Sequence, residues 1–233
     1  MSENVAATLF RRLRSIRVAA ISVRQRKDLL LPWYWGIVLM ALWVSACSPR
    51  VPEVPAAARG QMPRAAPTTP WIGKGRLEVV APGKRISGTA ILRSLGDGAV
   101  RAAFLSDEGI LLTDLTAKNG SWTVTRSIPD MERALPHLGR LIAQAYAQVA
   151  DSERTWDNDR LRATAGDAVR WYGGDPILLR AIEGGGLDVL IEDWRPLGVQ
   201  WLPHEARAEG PFGITIRLHM TEATVSPESP VSP

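Results

Sequence analysis

From Trp71 to Met220 the chain alternates apolar and polar residues with a period of two, interrupted at short intervals by turn signals. In "KGRLEVV", Leu77 and Val79 fall on one side and Arg76 and Glu78 on the other. "KRISGTAILRS" sets Ile86, Gly88, Ala90 and Leu92 against Arg85, Ser87, Thr89 and Arg93. In "GITIRLHM", Ile214, Ile216, Leu218 and Met220 alternate with Thr215, Arg217 and His219. This period belongs to strands with one face buried and one in water. Asn119-Gly120 lies between "LLTDLTAK" and "SWTVTR" and suits a two-residue hairpin, whose central residues both need positive φ. With the turns at Pro82-Gly83, Gly96-Asp97-Gly98, Glu108-Gly109, Gly173-Gly174 and Gly184-Gly185-Gly186, the pattern predicts about ten or eleven strands in an antiparallel meander.

One segment departs from that period. In "PDMERALPHLGRLIAQAYAQVA", Met131, Leu135, Leu138, Ile142, Ala145 and Val149 recur at steps of three and four, the mark of an amphipathic helix. Pro136 suits a first helical turn rather than an interior, so a break is expected near Leu135. The expected class is therefore mainly β, an α+β domain over 71–220 with a helix inserted mid-domain.

The ends of the chain are different in kind. Residues 48–70, "SPRVPEVPAAARGQMPRAAPTTP", have no periodicity and read as a Pro/Ala-rich tether running from residue 47. Residues 221–233 read as a disordered tail. Upstream, Leu29–Ala46 is an apolar run of about 18 residues, the lower limit for crossing a bilayer. Seven basic residues precede it, as in the n-region of a secretory signal spanning 1–46. That region is long for such a signal, so initiation downstream of Met1 is an alternative reading.

Val44, Ser45, Ala46 and Cys47 resemble a bacterial lipobox: an aliphatic residue, two small ones, and the only cysteine of the chain. The chemistry suits those side chains. A diacylglyceryl group needs a nucleophilic thiol at the membrane surface, and the peptidase needs small residues before the cut. The resemblance implies cleavage after Ala46 and a covalent lipid on Cys47, which is the only cofactor-like group expected. Acyl chains contribute about 0.8 kcal/mol per buried methylene, so two or three of them anchor the protein to the membrane. Ser48 in place of aspartate after the cysteine implies the outer membrane, on its periplasmic side.

Charge and composition narrow the function classes. The formal net charge is +4, but residues 1–46 carry seven basic and two acidic side chains. The remaining 21 basic and 22 acidic residues are balanced, so nucleic acid is not an expected partner. A single cysteine and three scattered histidines, His137, His204 and His219, give no metal cluster to build, and each histidine reads as a surface or edge residue. No Gly-x-Ser-x-Gly elbow occurs, the glycine triplet 184–186 reads as a turn, and Asp188 with Glu192 reads as a solvated strand face. No catalytic residue is expected.

The opening "GKGRLEV", the hairpins "SGTAILRS", "AVRAAFLS" and "GILLTDL", the mid-domain helix, and the closing "WLPHEARAEGPFGITIRLHM" resemble the LolA/LolB-like family of lipoprotein carriers and receptors. The resemblance implies a curved, incompletely closed β-barrel around an apolar cavity, with the helix as its lid and a lipid or lipoprotein acyl chain as cargo. Small residues on one face, Gly88, Ala90 and Ala102, agree with a sheet that curls. Candidate lining residues are Leu77, Val79, Leu92, Phe104, Leu112, Leu138 and Ile142; the alternative for each is ordinary core packing. The receptor type also exposes an apolar side chain on an early hairpin loop, whereas Ser106-Asp107-Glu108-Gly109 is polar here. A second functional reading is a non-enzymatic envelope assembly lipoprotein with a packed core and a protein partner.

Overall fold

A computed structural model describes residues 51–64 and 67–226. The expected signal, the lipobox and Cys47 lie outside the described residues. Twelve strands form one antiparallel sheet: β1 Trp71–Ala81, β2 Lys84–Ser94, β3 Val100–Ser106, β4 Leu111–Lys118, β5 Ser121–Ser127, β6 Glu153–Asp157, β7 Arg160–Ala165, β8 Ala168–Gly173, β9 Leu178–Gly184, β10 Asp188–Leu197, β11 Gln200–Gly210 and β12 Ile214–Val225. Their spatial order is β5-β4-β3-β2-β1-β12-β11-β10-β9-β8-β7-β6. Two meanders are therefore joined through their ends, with β1 paired to β12 at the centre. β5 and β6 are the free edges, so the barrel is incomplete.

The alternation translates directly into faces. Trp71, Gly73, Gly75, Leu77 and Val79 of β1 point inward, as do Ile214, Ile216, Leu218 and Met220 of β12. Asn119 and Gly120 take φ of 51° and 76°, as the hairpin requires. Five of the eleven strand pairs contain a register shift, including the one at Lys74/Gly75. Such bulges increase coiling and bend the sheet toward its apolar side. Two close backbone approaches sharpen the bend. A Cβ at Gly88 would overlap the Leu105 carbonyl of β3, and one at Gly75 would overlap the His219 carbonyl of β12.

The connection from β5 to β6 crosses the concave face. It contains a 3-10 turn, Pro129–Met131, and one helix, α1, Leu135–Ala145, with Pro136 in its first turn as expected. The helix packs against β3, β4, β5 and β11. Leu138, Gly139 and every residue from Leu141 to Ala145 are buried, so α1 is enclosed almost all round rather than along a single stripe. It lies deep in the hollow because Gly139 lets the Trp122 ring of β5 lie against the helix backbone.

Three expectations need correction. Residues 51–64 are not a free tether. Val51, Val54 and Ala58 are buried, the Val54 amide donates to Asp159 O at 2.7 Å, and the Arg64 amide donates to Ile177 O at 2.9 Å. Apolar side chains at steps of three and four give this segment enough burial to dock despite its prolines. The tail begins later than expected, since residues 221–225 continue β12 and Glu222, Ala223, Thr224 and Val225 pair with Lys74, Gly73, Ile72 and Trp71. His204 is interior rather than at the surface: it is 7% exposed and its Nδ1 lies 2.9 Å from Met220 O.

Two measurements test this arrangement. Gly88→Ala forces β2 and β3 apart at a backbone contact, and is expected to cost at least about 1–3 kcal/mol in urea unfolding, the range of overpacked cores. Burial lowers the His204 pKa below its ordinary 6.5, so the unfolded chain binds the proton more readily. Stability is then constant above that value and falls as pH drops below it. The urea midpoint of the wild type should decline between pH 7.5 and 5 by more than that of His204→Gln.

Candidate functional site

The seven candidate lining residues meet in one core. Leu77 and Val79 from β1, Leu92 from β2, Phe104 from β3 and Leu112 from β4 project from the concave face, and α1 supplies Leu138 and Ile142. None is more than 7% exposed, so with α1 in place they are packed against one another and sealed from water. The apolar interior and the inserted helix are thus one unit: what covers the concave face also fills it.

Polar atoms within that interior were missed in the sequence. Trp71 and Tyr146 are 0% and 1% exposed, with ring centroids 6.4 Å apart. Neither Trp71 Nε1 nor the Tyr146 hydroxyl has a protein partner, and the Gln144 side-chain oxygen has none either. Burial pushes the Tyr146 phenol far above its usual range, so it stays a donor. A buried donor left unsatisfied costs about 1–3 kcal/mol, which favours any guest that brings a carbonyl oxygen. Tyr146 follows directly on the last residue of α1, where the helical periodicity drew attention to Ala145 and Val149 instead.

A separate pocket of about 310 Å³ opens where the chain leaves α1. Its walls include Arg64, Asp151, Arg154, Arg170, Tyr172 and Trp194. Arg170 is nearly buried on β8. Its guanidinium donates to Val149 O at 3.2 Å, to Gln144 O at 3.4 Å and to Asp151 Oδ1 at 3.4 Å. Arg154 holds the other side of the Asp151 carboxylate at 3.1 Å, and the Tyr172 hydroxyl donates to it at 3.1 Å. Burial and the adjoining carboxylate keep Tyr172 protonated. An arginine at an inward-facing position of "AVRWYG" was the readable signal for this site.

Elsewhere the rim carries apolar side chains. The loop after β3 ends in Ile110, 63% exposed, so the polar loop expected at 106–109 has an apolar tip one residue on. Phe212, between β11 and β12, is 87% exposed and held at φ 60°. Asp188 and Glu192 are both exposed on β10. Among the described residues, no group of three or more His, Cys, Asp or Glu side chains is placed to hold a metal, and no helix is long and apolar enough to cross a membrane.

No protein-family model matches the sequence, and no curated protein matches it. Solved structures do. A LolA superfamily protein from Nitrosomonas europaea superposes with a TM-score of 0.51 at 12% identity, covering 70% of this chain and 89% of its own. An outer membrane lipoprotein-sorting protein domain from Vibrio parahaemolyticus gives 0.45 at 9% identity, over 72% and 89%. A DUF1329 family protein from Desulfovibrio piger gives 0.43 at 8%, over 70% and 88%. At these identities the likeness concerns architecture alone, and the first of them shows that the fold is similar to that of a LolA superfamily protein.

Proposed function

We propose that this chain is a non-enzymatic envelope lipoprotein that holds a lipid or acyl chain against the concave face of its sheet, in lipoprotein sorting or outer-membrane biogenesis. In this reading Cys47 carries the covalent lipid, and the domain faces the periplasm from the outer membrane. The observation that carries it is the enclosed helix. Leu138 and Ile142 of α1 cover Leu77, Val79, Leu92, Phe104 and Leu112, and the helix belongs to a single connection between two free edges rather than to the sheet itself. Its outward movement uncovers an apolar trough without breaking one strand pair. The similarity of fold to a LolA superfamily protein supports the same reading. Ile110 at a loop tip supplies the exposed apolar side chain associated with the receptor type.

A second reading has its own observation in favour. The seven candidate side chains are packed to 7% exposure or less, as expected of an assembly lipoprotein that works through a protein partner and holds no guest.

Titration of the purified chain with a hydrophobic fluorophore separates the two. The first reading predicts saturable uptake that palmitate or an acylated peptide displaces; a dry interior that takes up nothing favours the second. The anchor is tested on its own. Cys47→Ser should abolish incorporation of labelled palmitate in cells and leave a precursor longer than the mature protein, whatever the domain binds.

A further inference from the structure

We propose that the pocket beyond the C-terminal end of α1 binds a phosphate monoester. It is distinct from the apolar core, and the inference does not require the concave face to hold an acyl chain. Three guanidiniums, those of Arg64, Arg154 and Arg170, line it against a single carboxylate, Asp151. The walls therefore carry two positive charges in excess, which matches a phosphate monoester dianion near neutral pH. The charges are built in rather than incidental. Arg170 and Asp151 have side chains 7% and 3% exposed, and neither is placed there by chance of surface packing. An arginine so deep is tolerated because Asp151 and the carbonyl oxygens of Gln144 and Val149 share its donors.

The three arginines differ in how far they are committed. Arg170 is spent on the helix end and on Asp151. Arg154 shares the same carboxylate through Nε and Nη2 but is 39% exposed, and its Nη1 has only the weak acceptor Met62 Sδ at 3.9 Å. Arg64 is exposed and has no ion-pair partner among the described residues. Asp151 is thus already neutralised twice over, and Arg64 with Arg154 offers the planar donors that suit phosphate oxygens. The volume of about 310 Å³ is at the lower end for small-molecule sites. Leu179 and Trp194 add an apolar wall, so the anion is expected to carry a short organic body. Docking of residues 51–64 completes the site, because Pro63 and Arg64 form one side of it.

The test is calorimetric titration of the full chain in mild detergent with inorganic phosphate, glycerol 3-phosphate, dihexanoylphosphatidic acid and uncharged dihexanoylglycerol. Saturable binding of a phosphate-bearing probe is expected, weakened at least about fivefold in Arg64→Gln and lost in Arg64→Gln/Arg154→Gln. Both arginines are partly or fully exposed, so circular dichroism and the urea midpoint should stay close to wild type. Equal binding of glycerol 3-phosphate and the short phospholipid identifies a soluble ester as ligand, and preference for the phospholipid identifies a headgroup; either upholds the site. The proposal is overturned if no phosphate probe binds up to about 10 mM, weaker than any millimolar site, if dihexanoylglycerol binds as tightly and loses that binding in the same double variant, or if the double variant binds the phosphate probes unchanged.

Discussion

Two backbone contacts that only glycine allows, Gly75 against the His219 carbonyl and Gly88 against the Leu105 carbonyl, underlie the shape of the domain. They lie on inward-facing positions of β1 and β2, at the middle of a twelve-stranded sheet. With side chains there, β1–β12 and β2–β3 would stand farther apart and the sheet would flatten. A flatter sheet has no hollow deep enough for a helix, and its apolar face would need a second sheet to cover it. The register shifts act in the same direction, so curvature is distributed along several strand pairs while its sharpest part is at the centre.

The helix answers the geometry the sheet creates. An open half-barrel leaves an apolar trough that water must not reach, and one buried helix is a compact way to fill it. Small residues govern the depth of insertion: Gly139 accommodates the Trp122 ring, and Gly210 lies against His137. Charged side chains add two further contacts. Arg140, midway along the helix, reaches Asp167 at 3.2 Å, and Arg170 donates to the carbonyl oxygens of Gln144 and Val149 at the C-terminal end. The helix is thus seated by glycine-permitted close approaches, by charge, and by its apolar side chains packed on the concave face.

Much of this was legible because one-sided burial writes a period of two into a strand. Ile214, Ile216, Leu218 and Met220 were readable for that reason, and so was the Asn119-Gly120 turn, whose backbone needs those residues. Pro136 marked the start of α1 through its missing amide hydrogen. Where burial is absent or nearly complete, the pattern vanishes. Every residue of β6, "ERTWD", is exposed, so nothing in the strand alternates. The end of α1 is buried on all sides, so Tyr146 did not stand out. The docking of residues 51–64 rests on Val51, Val54 and Ala58 inside a proline-rich composition that otherwise signals a linker. The pocket was the least legible part: Arg170 at an inward-facing position of β8 was its one signal, while tertiary structure alone brings Arg64 and the local Asp151–Arg154 pair to it.

The central pairing of β1 with β12 also dictates an order of events. Leu77 faces Leu218 across that pair, so its formation closes a loop of about 140 residues, at a chain-entropy cost that local hairpins do not bear. The meanders β1–β5 and β6–β12 can each assemble from neighbouring hairpins, but they cannot join until the last strand is present. A chain made from its N-terminus therefore keeps β1 without its outer partner until β12 has been made. Slow closure of this kind leaves the two halves unjoined, and the outer edge of β1 unpaired, for as long as β12 is missing.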